Sequence, residues 1–285
     1  MAECLFVSDL HGRIDRYSKL FAILHQERPD AVFMGGDLLP HYFVRNEQYD
    51  DFVLDYLFPN LTFLREKLQH DYPKVFLILG NDDARIEEEA FLKGSREGLF
   101  HYINQQKELL GSHPVFGYSF VPPTPFQLKD WEKYDVSRYV DPGCVHPTEG
   151  RRTAEPMENV EFATIQQDLE LLTTNEDLAT AIFLFHSPPY DTLLDRAAQD
   201  GKMVDHVPLD LHVGSIAIKR FIEERKPMLT LHGHIHESTR LTGSWMQRFG
   251  PTISFNAAHD GPELSVIRFN TEAPELATRE LVRVR

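Results

Sequence analysis

The sequence predicts an α/β fold built on parallel strands. Three short, almost unbroken apolar runs carry that expectation: Cys4-Leu5-Phe6-Val7, Ala31-Val32-Phe33-Met34 and Val75-Phe76-Leu77-Ile78-Leu79. A strand covered on both faces reads this way, whereas a strand with one wet face alternates. Segments of helical spacing separate the runs, and that alternation layers helices on a sheet. A hydrophobic share of 42% over 285 residues suffices for a full core, and the length suits one domain spanning residues 1–285.

The elements follow in order. Ile14, Tyr17, Phe21 and Leu24 lie three or four apart and predict a helix over 14–25. The second apolar run ends at Gly35-Gly36. Residues 40–72 read as a helical crossover, with Phe52, Val53, Tyr56 and Leu57 in one helix and Leu61, Leu64 and Leu68 in another. Pro59-Asn60 is expected to break the two apart. The third run ends at Gly80. Val115 to Val121 is strand-like, ahead of Pro122-Pro123-Thr124-Pro125. Residues 127–156 show no period and read as a long ordered loop or lid, the kind of segment that often carries function. Phe162, Ile165, Leu169 and Leu172 mark a further helix, and Ala181 to Phe185 a strand that ends at His186. Ile216 to Glu224 is helical, Met228 to Leu231 is a strand, and Thr252–Phe255 and Leu264–Phe269 close the fold.

A formal net charge of −15 argues against a broad basic surface for nucleic acid or anionic membrane. A small cationic site remains compatible with it, because bound divalent ions are outside that count. Cys4 and Cys144 allow at most one disulfide, and Cys4 reads as a small core residue. No apolar run approaches bilayer length, and the N-terminus lacks the pattern of a secretory leader. A soluble cytoplasmic protein is the expectation; the sequence is silent on oligomeric state.

Five clusters of metal-ligand residues punctuate these elements: Asp9-Leu10-His11, Gly35-Gly36-Asp37, Gly80-Asn81-Asp82, His186-Ser187-Pro188-Pro189 and Gly233-His234-Ile235-His236. Taken singly, each has a plain structural reading: a loop Asp and surface His, a capping Asp, a strand-to-helix turn, a core His, a His-rich turn. Together they place carboxylates, an amide and imidazoles at the ends of several strands, where they converge on one sheet edge. His232, His234 and His236 alternate after an apolar strand, and neutral imidazoles are metal ligands. In an extended chain His234 and His236 would share a side and address neighbouring ions.

The order of these motifs over residues 9–236 resembles the calcineurin-like metallophosphoesterase superfamily. The resemblance implies a four-layer α/β/β/α sandwich with two central mixed sheets. It implies two divalent metal ions, one held by Asp9, His11, Asp37 and His236. The other falls to Asp37, Asn81, His186 and His234, with Asp37 bridging. The mixed imidazole and carboxylate set suits Mn, Fe, Zn, Co or Ni, with manganese a typical occupant. The implied reaction is hydrolysis of a small phosphate ester, a phosphodiester first, by a metal-bridging hydroxide. The alternatives are a phosphomonoesterase or nucleotidase on the same site, and a metal-binding scaffold that keeps the fold without turnover.

One position departs from the family pattern. Where many members carry His directly after Gly-Asn, this chain carries Asp82. A carboxylate beside two cations stays ionised and is a poor acid. Asp82 is therefore placed with Asp37 and Asn81 at the reacting phosphate without a proton to give. Either another group protonates the leaving oxygen, with His259 one candidate, or the metals alone stabilise it. In the second case hydrolysis should depend steeply on leaving-group quality. Arg13 is a candidate phosphate contact, His206 and His212 read as polar loop residues, and 127–156 and 190–213 are expected to wall the pocket.

Overall fold

The computed structural model describes residues 1–43, 49–156 and 159–283. The chain opens with β1 (Glu3–Val7), α1 (Ile14–Glu27), β2 (Ala31–Gly35), α2 (Phe58–Leu68), β3 (Lys74–Ile78), α3 (Glu88–Arg96) and β4 (His101–Tyr102). It continues through β5 (Lys107–Leu110), β6 (His113–Tyr118), α4 (Ile165–Leu172), β7 (Ile182–Phe185) and a small hairpin of β8 (Met203–Val204) and β9 (Val207–Pro208). It ends with α5 (Ile216–Arg225), β10 (Leu229–His232), α6 (Ser238–Thr242), β11 (Met246–Phe249), β12 (Thr252–Asn256), β13 (Leu264–Asn270) and β14 (Thr278–Val282).

Two six-stranded sheets result, ordered β14-β13-β1-β2-β3-β4 and β11-β12-β10-β7-β6-β5. In the first, β1 to β4 run parallel and β13 and β14 add antiparallel strands. In the second, β6, β7, β10 and β12 run parallel, with β5 and β11 antiparallel at the edges. Alternation along each strand divides the core. Cys4, Phe6, Phe33, Phe76 and Ile78 pack against Val115, Ile182, Leu184, Leu231 and Phe255 between the sheets. Leu5, Val7, Val32, Met34, Val75 and Leu77 turn the other way, to the packing that holds Tyr17, Leu20 and Leu24 of α1. Phe183 and Phe185 meet Phe221 of α5 in the same manner on the second sheet. The expected sandwich of helices around two mixed sheets is therefore the fold, and the apolar runs are continuous because both of their faces are covered.

Several local expectations are corrected. Pro59 does not separate two helices. A π-helical turn over Val53–Leu57 runs straight into α2, and Pro59 falls at the junction of the two, where the wider π turn accommodates it. Residues 44–48 of the expected crossover lie outside the described residues. Phe162 precedes α4 and is exposed; the helix starts after Thr164, whose hydroxyl accepts from Gln167 N at 3.2 Å. The strand-like run from Val115 ends at Tyr118. Cys4 and Cys144 are free thiols, so no disulfide joins them. No helix among the described residues is long and apolar enough to cross a membrane.

The irregular stretch 127–156 is ordered by burial rather than by period. Trp131, Lys129 and Glu132 are buried, and Lys129 Nζ stands 2.5 Å from Glu132 Oε2. Asp135 caps α5, accepting from Ser215 Oγ at 2.6 Å and Ile216 N at 2.6 Å. Trp131 Nε1 donates to Asp83 O at 2.9 Å, which docks the stretch on the loop that follows β3.

Candidate metal centre

Loops leaving β1, β2, β3, β7 and β10 meet at one edge of the two sheets. They are tied before any ligand is considered. Asp9 N donates to Gly36 O at 3.0 Å, His11 N to Asp37 O at 2.8 Å and Gly12 N to Leu38 O at 2.9 Å. Gly233 N reaches His186 O at 3.0 Å, and His234 N reaches Asp9 Oδ1 at 3.1 Å. Asp83, fully buried, accepts from Gly80 N, Leu38 N and Leu39 N at 2.8, 3.1 and 2.7 Å. Burial and the neighbouring Asp37 push its carboxyl up to about 7, while those three donors pull the other way.

Two ligand groups form on this frame. Asp9, His11, Asp37 and His236 bring one ligand atom each to within 4.8 Å of one another, and so do Asp37, His186 and His234. Asp37 belongs to both. Asn81 joins the second group, its Oδ1 3.0 Å from His186 Nε2. Asp82 stands at the rim, its Oδ2 3.2 Å from His11 Nδ1 and its backbone N donating to Asp37 Oδ1 at 2.8 Å. Thus all eight sequence-predicted site residues come together. Asp9, Asp37, Asn81 and His186 are buried, while the side chains of His11, His236 and Asp82 keep 25%, 33% and 22% exposure and mark the open side.

The donors fit divalent cations. His186 gives its Nδ1 to Gly35 O at 2.7 Å, and His11 gives its Nδ1 to Asp82, so each directs its Nε2 at the cluster, where a cation would take the place of its proton. His11 Nε2 and His236 Nε2 face each other at 3.1 Å, an arrangement of two nitrogens that a shared cation satisfies. For Asp9, burial raises the carboxyl, but the His236 hydrogen bond and the adjacent imidazoles outweigh it and hold it below its ordinary value. Asp37 is likewise held well down, the two imidazoles His186 and His11 overcoming burial. Burial opposes charge on His11 and His186, yet the carboxylates around them raise both to about 9. His234 goes the other way, to about 3, through burial and the neighbouring His186. Without a cation the cluster draws protons onto two imidazoles to balance its carboxylates. A divalent ion supplies the same positive charge with more ligands.

The backbone is held in an unusual state where it meets the cluster. Asp9, His11, Asp37 and His234 have φ of 58°, 49°, 50° and 71°, the left-handed region that non-glycine residues seldom occupy. Such conformations persist where surrounding contacts over-determine them, and they gather at functional sites. They also overturn the expectation that His234 and His236 sit on an extended chain. The chain turns at His234, and that turn sends the two imidazoles to different groups.

The calcineurin-like phosphoesterase sequence profile matches residues 3–238, which spans every one of these candidate ligands. The chain belongs to the calcineurin-like phosphoesterases. It is thus a hydrolase of phosphoric ester bonds, in a family that typically depends on two metal ions. One solved structure resembles it at a TM-score of 0.61 and 14% identity, covering 99% of this chain and 100% of the other. A protein from Thermus thermophilus resembles it at 0.57 and 15% identity, with 99% of each chain covered. At such identities the likeness concerns the fold. A comparison with curated proteins gave no sequence match.

The other candidate residues of this calcineurin-like phosphoesterase belong to neither ligand group. His232 lies inside β10, its Nδ1 2.9 Å from Ser187 O and its Nε2 2.8 Å from Thr230 Oγ1, stacked on Phe185. It is a satisfied core histidine, driven down to about 4 by burial. His259 is paired with Glu263 at 3.1 Å, Arg13 with Asp15 at 2.7 Å and His212 with Asp195 at 2.7 Å; His206 is exposed. Sequence reasoning missed Arg16, whose Nη1 donates to Asp9 O at 2.6 Å and whose Nη2 donates to Gly261 O at 2.6 Å, fixing the loop after β1. It also missed His41, whose Nδ1 stands 2.6 Å from Asp82 Oδ1. The available signal was a histidine just past Asp37-Leu38-Leu39-Pro40, on a loop already assigned to the site.

Gly36 tests the frame. It has φ of 90°, and a Cβ there would lie 2.6 Å from His186 Nδ1. Gly36→Ala should displace that imidazole and lower metal affinity about 10–100-fold, the range seen when a ligand's supporting contact is lost. Calorimetric titration checks it, and unchanged affinity would show that the loop can yield.

Proposed function

We propose that the chain hydrolyses phosphodiesters in preference to monoesters, using Asp9, His11, Asp37 and His236 for one metal ion and Asp37, Asn81, His186 and His234 for the other. Bound divalent ions supply a low-pKa water and neutralise phosphate charge. The protein's own groups do the rest. Asp37 is shared between the two ligand groups and spaces them. Gly35 O fixes the ring of His186, and Asp82 fixes that of His11, so that neither Nε2 has to reorganise as charge moves. The half-exposed edge formed by His11, His236 and Asp82 admits the ester.

Asp82 is the observation that carries the diester reading. It puts a carboxylate on the open side, where a dianionic monoester would meet it, and the single charge of a diester meets less repulsion. Among the described residues no Lys or Arg forms an ion pair with Asp9, Asp37 or Asp82 to offset that charge. With Mn, Fe, Zn, Co or Ni added in turn, kcat/KM for an aryl diester should exceed that for the matching monoester by about tenfold or more, the effect of one moderately screened charge. Asp82→Asn should narrow the gap. A monoester preference in the native protein overturns the reading.

A further inference from the structure

A histidine from another loop reaches the rim beside Asp82. His41 follows β2, four positions beyond Asp37, and its Nδ1 lies 2.6 Å from Asp82 Oδ1. The other oxygen of the same carboxylate lies 3.2 Å from His11 Nδ1. Asp82 therefore stands between two imidazoles, one inside the ligand cluster and one outside it. His41 is on the open side, with its side chain 47% exposed and the Phe43 ring edge-on at 5.8 Å. Among the described residues its Nε2 meets no hydrogen-bond partner. The Asp82 carboxylate beside Nδ1 leaves Nε2 as the ring nitrogen available to a ligand on the open side.

We propose that His41 is the proton donor to the leaving group, held by Asp82 in place of the histidine that many relatives carry after Gly-Asn. A carboxylate at that position cannot donate, but it can aim an imidazole that does. In the step, the water oxygen bonds to phosphorus and the P–O bond to the leaving group breaks. The electron pair of that bond goes to the departing oxygen, which takes the proton from His41 Nε2. The proton lost by the water passes to solvent, and solvent reprotonates His41. Atoms and charge balance without a further reactant. This inference rests on the phosphodiesterase reading, and it replaces a steep leaving-group dependence in the native protein with one that appears only when His41 is lost.

The test compares native protein, His41→Asn, His41→Ala and Asp82→Asn, loaded with metal, on diesters that differ in leaving group. Substitution of His41 is expected to lower kcat/KM for alkyl leaving groups by about 10²-fold or more, the usual contribution of a general acid, and to leave nitrophenyl leaving groups within a few-fold. Added imidazole should restore part of the alkyl rate in His41→Ala. In the metal-free protein, the ¹⁵N signal of His41 Nδ1 should move on Asp82→Asn, which reads the pairing without any turnover. An equal fall across all leaving groups, no fall at all, or a His41 signal indifferent to Asp82→Asn overturns the inference. Preference of native protein for monoesters, or failure to hydrolyse any phosphate ester, overturns the reading beneath it and is seen with native protein alone.

Discussion

Asp37→Ala should remove nearly all metal-dependent hydrolysis. Among the described residues Asp37 alone belongs to both ligand groups, so its loss takes an oxygen from each. It also removes the acceptor for Asp82 N, which sets the third loop, and the carboxylate 3.4 Å from His186 Nε2. The expected fall in kcat/KM is about 10³-fold or more, beyond the roughly 10²–10³-fold lost with one transition-state hydrogen bond. Metal analysis of the purified variant should show both sites depleted. The other ligands are less costly singly, because each touches one group. Native-like turnover from Asp37→Ala, with full metal content, would dismiss the shared-ligand arrangement.

Chelation should abolish turnover and loosen the fold in a pH-dependent way. A site filled at a hundred times its Kd contributes about 2.7 kcal/mol, worth roughly 5 °C of Tm or more for a chain of this size. The sign with pH follows from the two raised imidazoles. Without metal, His11 and His186 sit at about 9 against an ordinary 6.5, so their stabilisation is complete below 6.5 and fades as pH rises through 9. Metal must displace those same protons, so its affinity strengthens over that window. The Tm gap between loaded and chelated protein should therefore widen from pH 6.5 towards 9. Differential scanning calorimetry across that range measures it, and a gap that narrows would contradict the assignment of these imidazoles as ligands.

Much of the centre was legible because its residues sit where apolar runs stop. Asp9, Asp37, Asn81 and His186 each follow a buried strand closely, and the strands themselves are unmistakable in composition. The edges of the sheets were not legible. β5 (Lys-Glu-Leu-Leu), β11 (Met-Gln-Arg-Phe) and β14 (Thr-Arg-Glu-Leu-Val) carry too few apolar residues to announce a strand, and their pairing partners make them so. The partnership of His41 with Asp82 spans two loops, and no local pattern encodes it. His232 failed for the opposite reason. It shares the alternation of its neighbours, but the strand ends only after it, so its side chain is delivered to the core.

The ladder between β1 and β13 joins Cys4 to Phe269 and Phe6 to Ile267, residues far apart along the chain. A ribosome that has released the chain as far as His186 has exposed Asp9, Asp37, Asn81 and Asp82, yet neither His234 nor His236, and the central strand of the first sheet still lacks one neighbour. During translation the emerging polypeptide thus presents clustered acids and an open strand edge, the surface that chaperones cover and stray strands seek. Metal capture should accordingly come late in the making of this fold, after His234 and His236 have emerged.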